Sequence, residues 1–189
     1  LMKRGAKLVT IDPRVNWLAT RSVVQLRLRN GTDAALAMAM CNILIKEDLY
    51  DHDFIERWCY GFDEFAERVS YMTPEKAAEI CEVPVDDIYR VTRMYAAAKP
   101  ASIAWGLAFD QNTNGMQAGQ CVLAMICMTG NLDVPGGNIV ADLSMPEDLT
   151  GDAAAGQSAH NTDTRSFITE GWYQMTDEER AECVGMDKY

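Results

Sequence analysis

The chain has 189 residues, 48% of them hydrophobic and 24% charged. That is enough to bury one sizeable core, and one domain with a polar extension is the economical reading. A net charge of −11 argues against nonspecific nucleic-acid binding, and the longest mostly apolar stretch, around Cys121 to Thr129, is too short to span a bilayer.

Leu8, Val9 and Ile11 form a short β-rich run that Asp12-Pro13-Arg14 ends, because proline fixes its own φ and cannot extend a ladder. The run starts almost at the first residue with no leader peptide before it, which reads as an internal stretch of a longer protein. Val23, Val24, Leu26 and Leu28 form a second run, and Asn30-Gly31-Thr32-Asp33 supplies a turn and a helix cap. Strand ends of this kind carry ligands in open α/β sheets. Residues 1 to 30 hold Lys3, Arg4, Lys7, Arg14, Arg21, Arg27 and Arg29 against Asp12 alone, a local excess that suits a diphosphate. Arg27 and Arg29 read at least as well as solvated strand flanks. Ala34 to Ile45 is apolar nearly all round and predicts a helix buried on most of its circumference. Asp33 or Thr32 can cap it, and capping alone accounts for Asp33 without any ligand.

Residues 48 to 99 read as a helical insert. Phe54, Ile55 and Trp58 share one face, Thr73-Pro74-Glu75 marks a helix start, and Val85, Ile88, Val91, Met94 and Tyr95 face inward on a helix after Pro84. His52 lies in an acidic turn and reads as structural or solvated. Ala101 to Trp105, entered through Lys99-Pro100, predicts a third strand. Gly115 to Met128 predicts another apolar helix, stopped at Thr129-Gly130-Asn131 by a left-handed glycine. Strands alternating with helices give an α/β fold with a layered, partly parallel sheet flanked by helices. The domain is expected over residues 1–138, and residues 139–189 form an acidic tail or crossover segment with isolated Phe167, Trp172 and Tyr173. The six cysteines show no CxxC pair and no metal spacing, so they are expected as free thiols, mostly packed as small apolar groups.

The ordered series IDPR, LRLRNGTDAALAMAM, EDLYDHDFIERWCYGFDEF, AAEICEVPVDDIYRVTRMYAAAKP, IAWGLAFDQ and MTGNLDVPGGN resembles the molybdopterin-guanine-dinucleotide oxidoreductases of the dimethyl sulfoxide reductase type, from about Gly5 to Asn138. The resemblance implies an internal α/β domain of a catalytic subunit, holding part of a bis(molybdopterin guanine dinucleotide) cofactor with molybdenum or tungsten. It implies an iron–sulfur cluster outside this stretch, the remaining domains of the subunit as partners, and room for an iron–sulfur electron-transfer subunit beside them. The compartment stays open between the periplasm and the cytoplasm of a prokaryote. The reaction implied is oxygen-atom transfer or another two-electron change, carried by the metal and the dithiolene sulfurs, and this stretch alone is expected to be inactive.

A carboxylate accepting from guanine N1–H and the exocyclic amine distinguishes guanine from adenine, which lacks that donor pair. By resemblance Asp33 takes this role, Asp12 and Arg14 line the ribose and diphosphate, and Gly31 lets the backbone approach closely. Gly106 to Gln111 turns towards the pterin. Gly130 and Asn131 follow with less weight, since a Gly-Asn helix stop needs no ligand, and Gly136 to Asn138 form a turn that abuts the cofactor. No residue here is assigned as a catalytic group or a metal ligand. Two other readings compete: a free-standing nucleotide-binding α/β module, for which neither GxGxxG nor GxxxxGK[ST] follows a strand, and a noncatalytic interaction domain with an acidic tail.

Overall fold

A computed structural model describes residues 2–138. The tail expected over 139–189, with Phe167, Trp172, Tyr173 and Cys183, lies outside the described residues. After a short 3-10 turn at Met2–Arg4, strand β1 spans Val9–Ile11 and pairs in parallel with β2, Val24–Leu26. Val9 stands opposite Val24, Thr10 opposite Gln25 and Ile11 opposite Leu26. Two parallel strands need a crossover, and here residues 12 to 23 make it with a single 3-10 turn at Ala19–Arg21 in place of a full helix. A hydroxyl–hydroxyl hydrogen bond between Thr10 and Ser22 ties the returning chain to β1. Because the strands run the same way, both leave the sheet at one edge.

Helix α1, Asp33–Lys46, follows β2, then α2 (His52–Trp58), α3 (Phe62–Ser70), α4 (Pro74–Cys81), α5 (Val85–Ala97), α6 (Leu107–Asp110) and α7 (Gly115–Met128). The apolar circumference read for α1 is enclosed: it packs against α3, α4, α5 and α7 and buries Leu36, Ala37, Ala39, Met40, Cys41, Ile43 and Leu44 among others. Its closest neighbour is α7, and Ala39, Cys41, Ala118 and Cys121 are small enough to let the helices approach. The Cys41 thiol reaches 3.4 Å from the Cys121 carbonyl. Burial pushes the Cys41 pKa well up, and all five described cysteines are free.

The helical insert is α2 to α5. Thr73 caps α4 through its hydroxyl, which accepts from the Lys76 amide at 3.3 Å, with Pro74 opening the first turn. On α5, Ile88 and Val91 are buried and Val85, Met94 and Tyr95 half-buried, as the spacing predicts. Buried Asn42 on α1 donates to Ser70 and Met72 carbonyls, at 3.2 and 2.8 Å, and so fastens the end of α3. No helix among the described residues is long and apolar enough to cross a membrane.

Two expectations change. Trp58 does not face inward with Phe54 and Ile55: it is 76% exposed, because α2 buries no residue completely. Ala101 to Trp105 forms no strand, although Ala101 and Ile103 lean inward and Ser102 and Ala104 outward. The amide of Asn131 accepts from the Ala101 N–H at 2.9 Å, and Asn138 accepts from Ile103 N–H at 2.9 Å while donating to its carbonyl at 2.7 Å. Two asparagine side chains satisfy the backbone that a neighbouring strand would otherwise pair.

Candidate functional site

The parallel pair delivers two turns to one edge. In the first, Asp12 accepts from the Arg14 amide at 2.7 Å, from the Arg14 guanidinium at 3.3 Å on each carboxylate oxygen, and from Asn16 Nδ2 at 3.0 Å. The hydrogen bonds from Arg14 hold the Asp12 carboxyl below the usual carboxylate range. Arg14 itself is 81% exposed, so the rest of its fork of donors is open. Gln25, in the middle of β2, donates to the carbonyls of Asp12 and Arg14 at 3.2 and 2.9 Å. The second strand thus sets the shape of the turn after the first.

The second turn, Asn30 to Asp33, is held from below by the insert. The Arg29 amide donates to the Cys81 carbonyl at 2.9 Å, and the Cys81 thiol reaches the Thr32 carbonyl at 3.5 Å. Gly31 has φ +78, a left-handed conformation that glycine adopts without strain. Thr32 is the N-cap of α1, yet its hydroxyl turns back to the Arg29 carbonyl at 2.6 Å and makes no cap bond. Asp33 lies in the first turn of the helix, half-buried, and its carboxylate makes no hydrogen bond or ion pair among the described residues. Neither Thr32 nor Asp33 caps the helix with a side-chain hydrogen bond, and what remains of the capping explanation is the favourable place of an acid in the first turn. An acceptor is left at the positive end of a 14-residue helix with no hydrogen-bond donor on it among the described residues.

The third contributor is the loop around α6. Gly106 is the N-cap of α6 and faces open space, and Gln111 is exposed at its other end. Three residues on, Asn114 donates to the Gly31 carbonyl at 3.3 Å, and a Cβ on Gly31 would stand 3.7 Å from Asn112 Oδ1. The fold brings Gly31, Asp33 and the Gln111 loop together. Within the same loop the Trp105 and Phe109 rings meet at a tilt, with centroids 5.8 Å apart.

Gly130 and Asn131 stand elsewhere. They follow the C-terminus of α7, about 21 Å along the helix from Asn114 at 1.5 Å per residue. There the Gly130 amide bonds to Cys127 and the Asn131 amide to Ile126, which closes the helix, and a Cβ on Gly130 would meet Asp51 Oδ2 at 2.8 Å. Asn131 is fully buried, its Oδ1 accepting from Ala101 and its Nδ2 donating to Thr129 at 2.9 Å. Both residues are accounted for by the fold. Sequence reasoning missed Asn16, Gln25, Cys81 and Asn114, and the one signal on offer was a polar Gln25 inside a three-residue apolar strand.

This is the arrangement of an α/β domain whose strand-end turns gather polar groups at one sheet edge, the class that holds nucleotides. A model of the molybdopterin oxidoreductase family matches residues 1–175, and the chain belongs to that family, of the dimethyl sulfoxide reductase type. It is 42% identical over 127 residues to the acetylene hydratase of Syntrophotalea acetylenica, covering 66% of this chain and 17% of the relative. It is 35% identical over 133 residues to formate dehydrogenase H of Escherichia coli, covering 70% and 19%. It is 36% identical over 138 residues to the thiosulfate reductase molybdopterin-containing subunit PhsA of Salmonella typhimurium, covering 71% and 18%. The solved acetylene hydratase from Pelobacter acetylenicus superposes with a TM-score of 0.67 at 40% identity, over 68% of this chain and 18% of that one. The chain thus spans less than a fifth of the length of these relatives. Membership implies a molybdopterin cofactor carrying molybdenum or tungsten.

Proposed function

We propose that this domain binds one guanine dinucleotide arm of a bis(molybdopterin guanine dinucleotide) cofactor in the catalytic subunit of an oxidoreductase. The observation that carries the reading is the Asp33 carboxylate, unpartnered at the start of α1 beside a left-handed Gly31. The donor set fits the group. Asp33 accepts from guanine N1–H and the exocyclic amine, and the exposed fork of Arg14 meets phosphate oxygens. Asp12, kept ionised by Arg14, accepts from a ribose hydroxyl. Gly106 leaves open space for a close approach, and Gln111 offers an amide on the pterin side. Gly130 and Asn131 serve as framework for the segment after Pro100. When bound, the cofactor supplies the metal and dithiolene sulfurs for oxygen-atom or other two-electron transfer. This chain's residues hold and orient it.

The remaining domains of the subunit complete the cofactor site, and an iron–sulfur centre outside this stretch exchanges electrons with it. The reading is tested by an amide NMR titration of the chain with GDP, with ADP and NAD as controls. GDP-specific shifts in residues 12–14 and 31–33 are expected. Equal shifts with ADP or NAD would overturn the guanine assignment and favour a general nucleotide module.

A further inference from the structure

We propose that Asn114 is a positioning residue that latches the Gln111 loop to the Gly31–Asp33 turn and so aims the Asp33 carboxylate, an inference that rests on the guanine reading of that turn. Asn114 occupies the N-cap of α7, where an asparagine ordinarily turns its side-chain oxygen to the amides of the first turn. Here it makes no cap bond. Its Nδ2 instead donates to the Gly31 carbonyl 83 residues away in sequence, at 3.3 Å, and its Oδ1 is buried without a hydrogen-bond partner. A local bond has been given up for a distant one, and a polar atom left unsatisfied. Costs of that kind concentrate where geometry serves function.

The distant bond acts on the residue that most needs it. Gly31 can adopt its φ of +78 because it lacks a Cβ, and the same freedom leaves the turn loose unless something outside holds it. Asn114 holds its carbonyl from the α7 side, while Thr32 is held through its hydroxyl to Arg29 and through its carbonyl by Cys81. Asp33, which follows Thr32, has no hydrogen-bond partner among the described residues to fix its direction. A carboxylate that must meet two guanine donors at once gains from being aimed before the ligand arrives. Because Gln111 is three residues before Asn114, the same bond sets the spacing between the guanine end and the pterin end of the site.

Asn114→Ser separates the latch from the cap, since serine caps a helix as well as asparagine does but is too short to keep the bond to Gly31. In the cofactor-loaded protein, the variant is expected to melt within about 2 °C of wild type. Hydrogen exchange should rise in residues 29–33 and 111–114 together. Guanine nucleotide, read as GMP after acid hydrolysis, should leave the protein about tenfold faster on mild warming, the ratio that goes with losing roughly one hydrogen bond. Asn114→Asp, which keeps an acceptor for the cap and removes the donor, should behave alike. Wild-type retention of GMP in both variants overturns the latch, as does exchange that rises along α7 but not in residues 29–33. Asp33→Ala is the control for the underlying reading. If it also keeps wild-type retention, the guanine assignment itself fails; if it loses GMP while both Asn114 variants keep it, only the role of Asn114 is wrong.

Discussion

Asp33 and Asp12 are both strand-end carboxylates, yet their surroundings give them opposite consequences. Asp33 makes no hydrogen bond or ion pair among the described residues, so Asp33→Ala should lower stability by no more than about 1 kcal/mol, its share of the helix dipole, while weakening GDP binding about 10- to 100-fold, the loss expected for hydrogen bonds to a charged group. A calorimetric titration checks it. Asp12 is held by Arg14 and Asn16, with its folded pKa below the unfolded one. The stability it contributes is therefore present above the unfolded value of about 4 and is lost as pH falls through the lower folded value. Carboxyl NMR of wild type and Arg14→Ala should show the Asp12 titration moving up towards the ordinary range in the variant, since Arg14 is the largest cause of the shift. An unmoved titration would mean that Arg14 does not hold the carboxylate in solution. The two acids were both legible in the sequence; which one is spent on the fold was not, because that depends on where Arg14, Asn16 and Gln25 point.

At the scale of elements, the chain stores its rigidity in the α1–α7 pair and its precision in asparagines. The apolar run of α1 is readable because burial on nearly every side leaves almost no polar residue in it, and α7 is readable from its buried face, since Met116, Gln117, Gln120 and Leu123 are exposed. Ala101 to Trp105 was misread as a strand for a related reason. Its inward Ala101 and Ile103 carry a strand-like alternation, but pairing is a tertiary event, and here Asn131 and Asn138 take the place of a neighbour. Asn131→Ala should cost about 1 to 2 kcal/mol, since it leaves the half-buried Ala101 amide without its acceptor, while the Thr129 hydroxyl keeps its bond to the Met125 carbonyl. Gly130→Ala should cost about 1 to 2 kcal/mol for the left-handed backbone alone, with the Asp51 carboxylate in the way besides. Urea unfolding of the two variants tests both, and an unchanged Asn131→Ala midpoint would show that this side chain does not hold the segment after Pro100.

Across the whole molecule, stability should be uneven. Three-residue parallel strands with no third neighbour among the described residues are weak by themselves, and Ile11, Val15, Trp17, Leu18 and Val23 around them are exposed. Hydrogen exchange should therefore be slowest in the α1–α7 seam and markedly faster in β1 and β2; equal protection would show the sheet to be as cooperative as the helices. The sequence by itself determined the apolar helices α1, α5 and α7, the punctuation at Asp12-Pro13 and Gly130, the α/β class and the two acidic turns, because these follow from local periodicity and backbone restriction, whereas the short helix α6 within the Gly106 to Gln111 loop did not show in it. Only the tertiary structure decided that the two turns share one edge, that Asp33 stays unpaired, that Asn131 is spent on the framework and that Asn114 reaches Gly31. Those outcomes depend on contacts between residues as far as 83 positions apart, and no local pattern encodes which polar group will meet which.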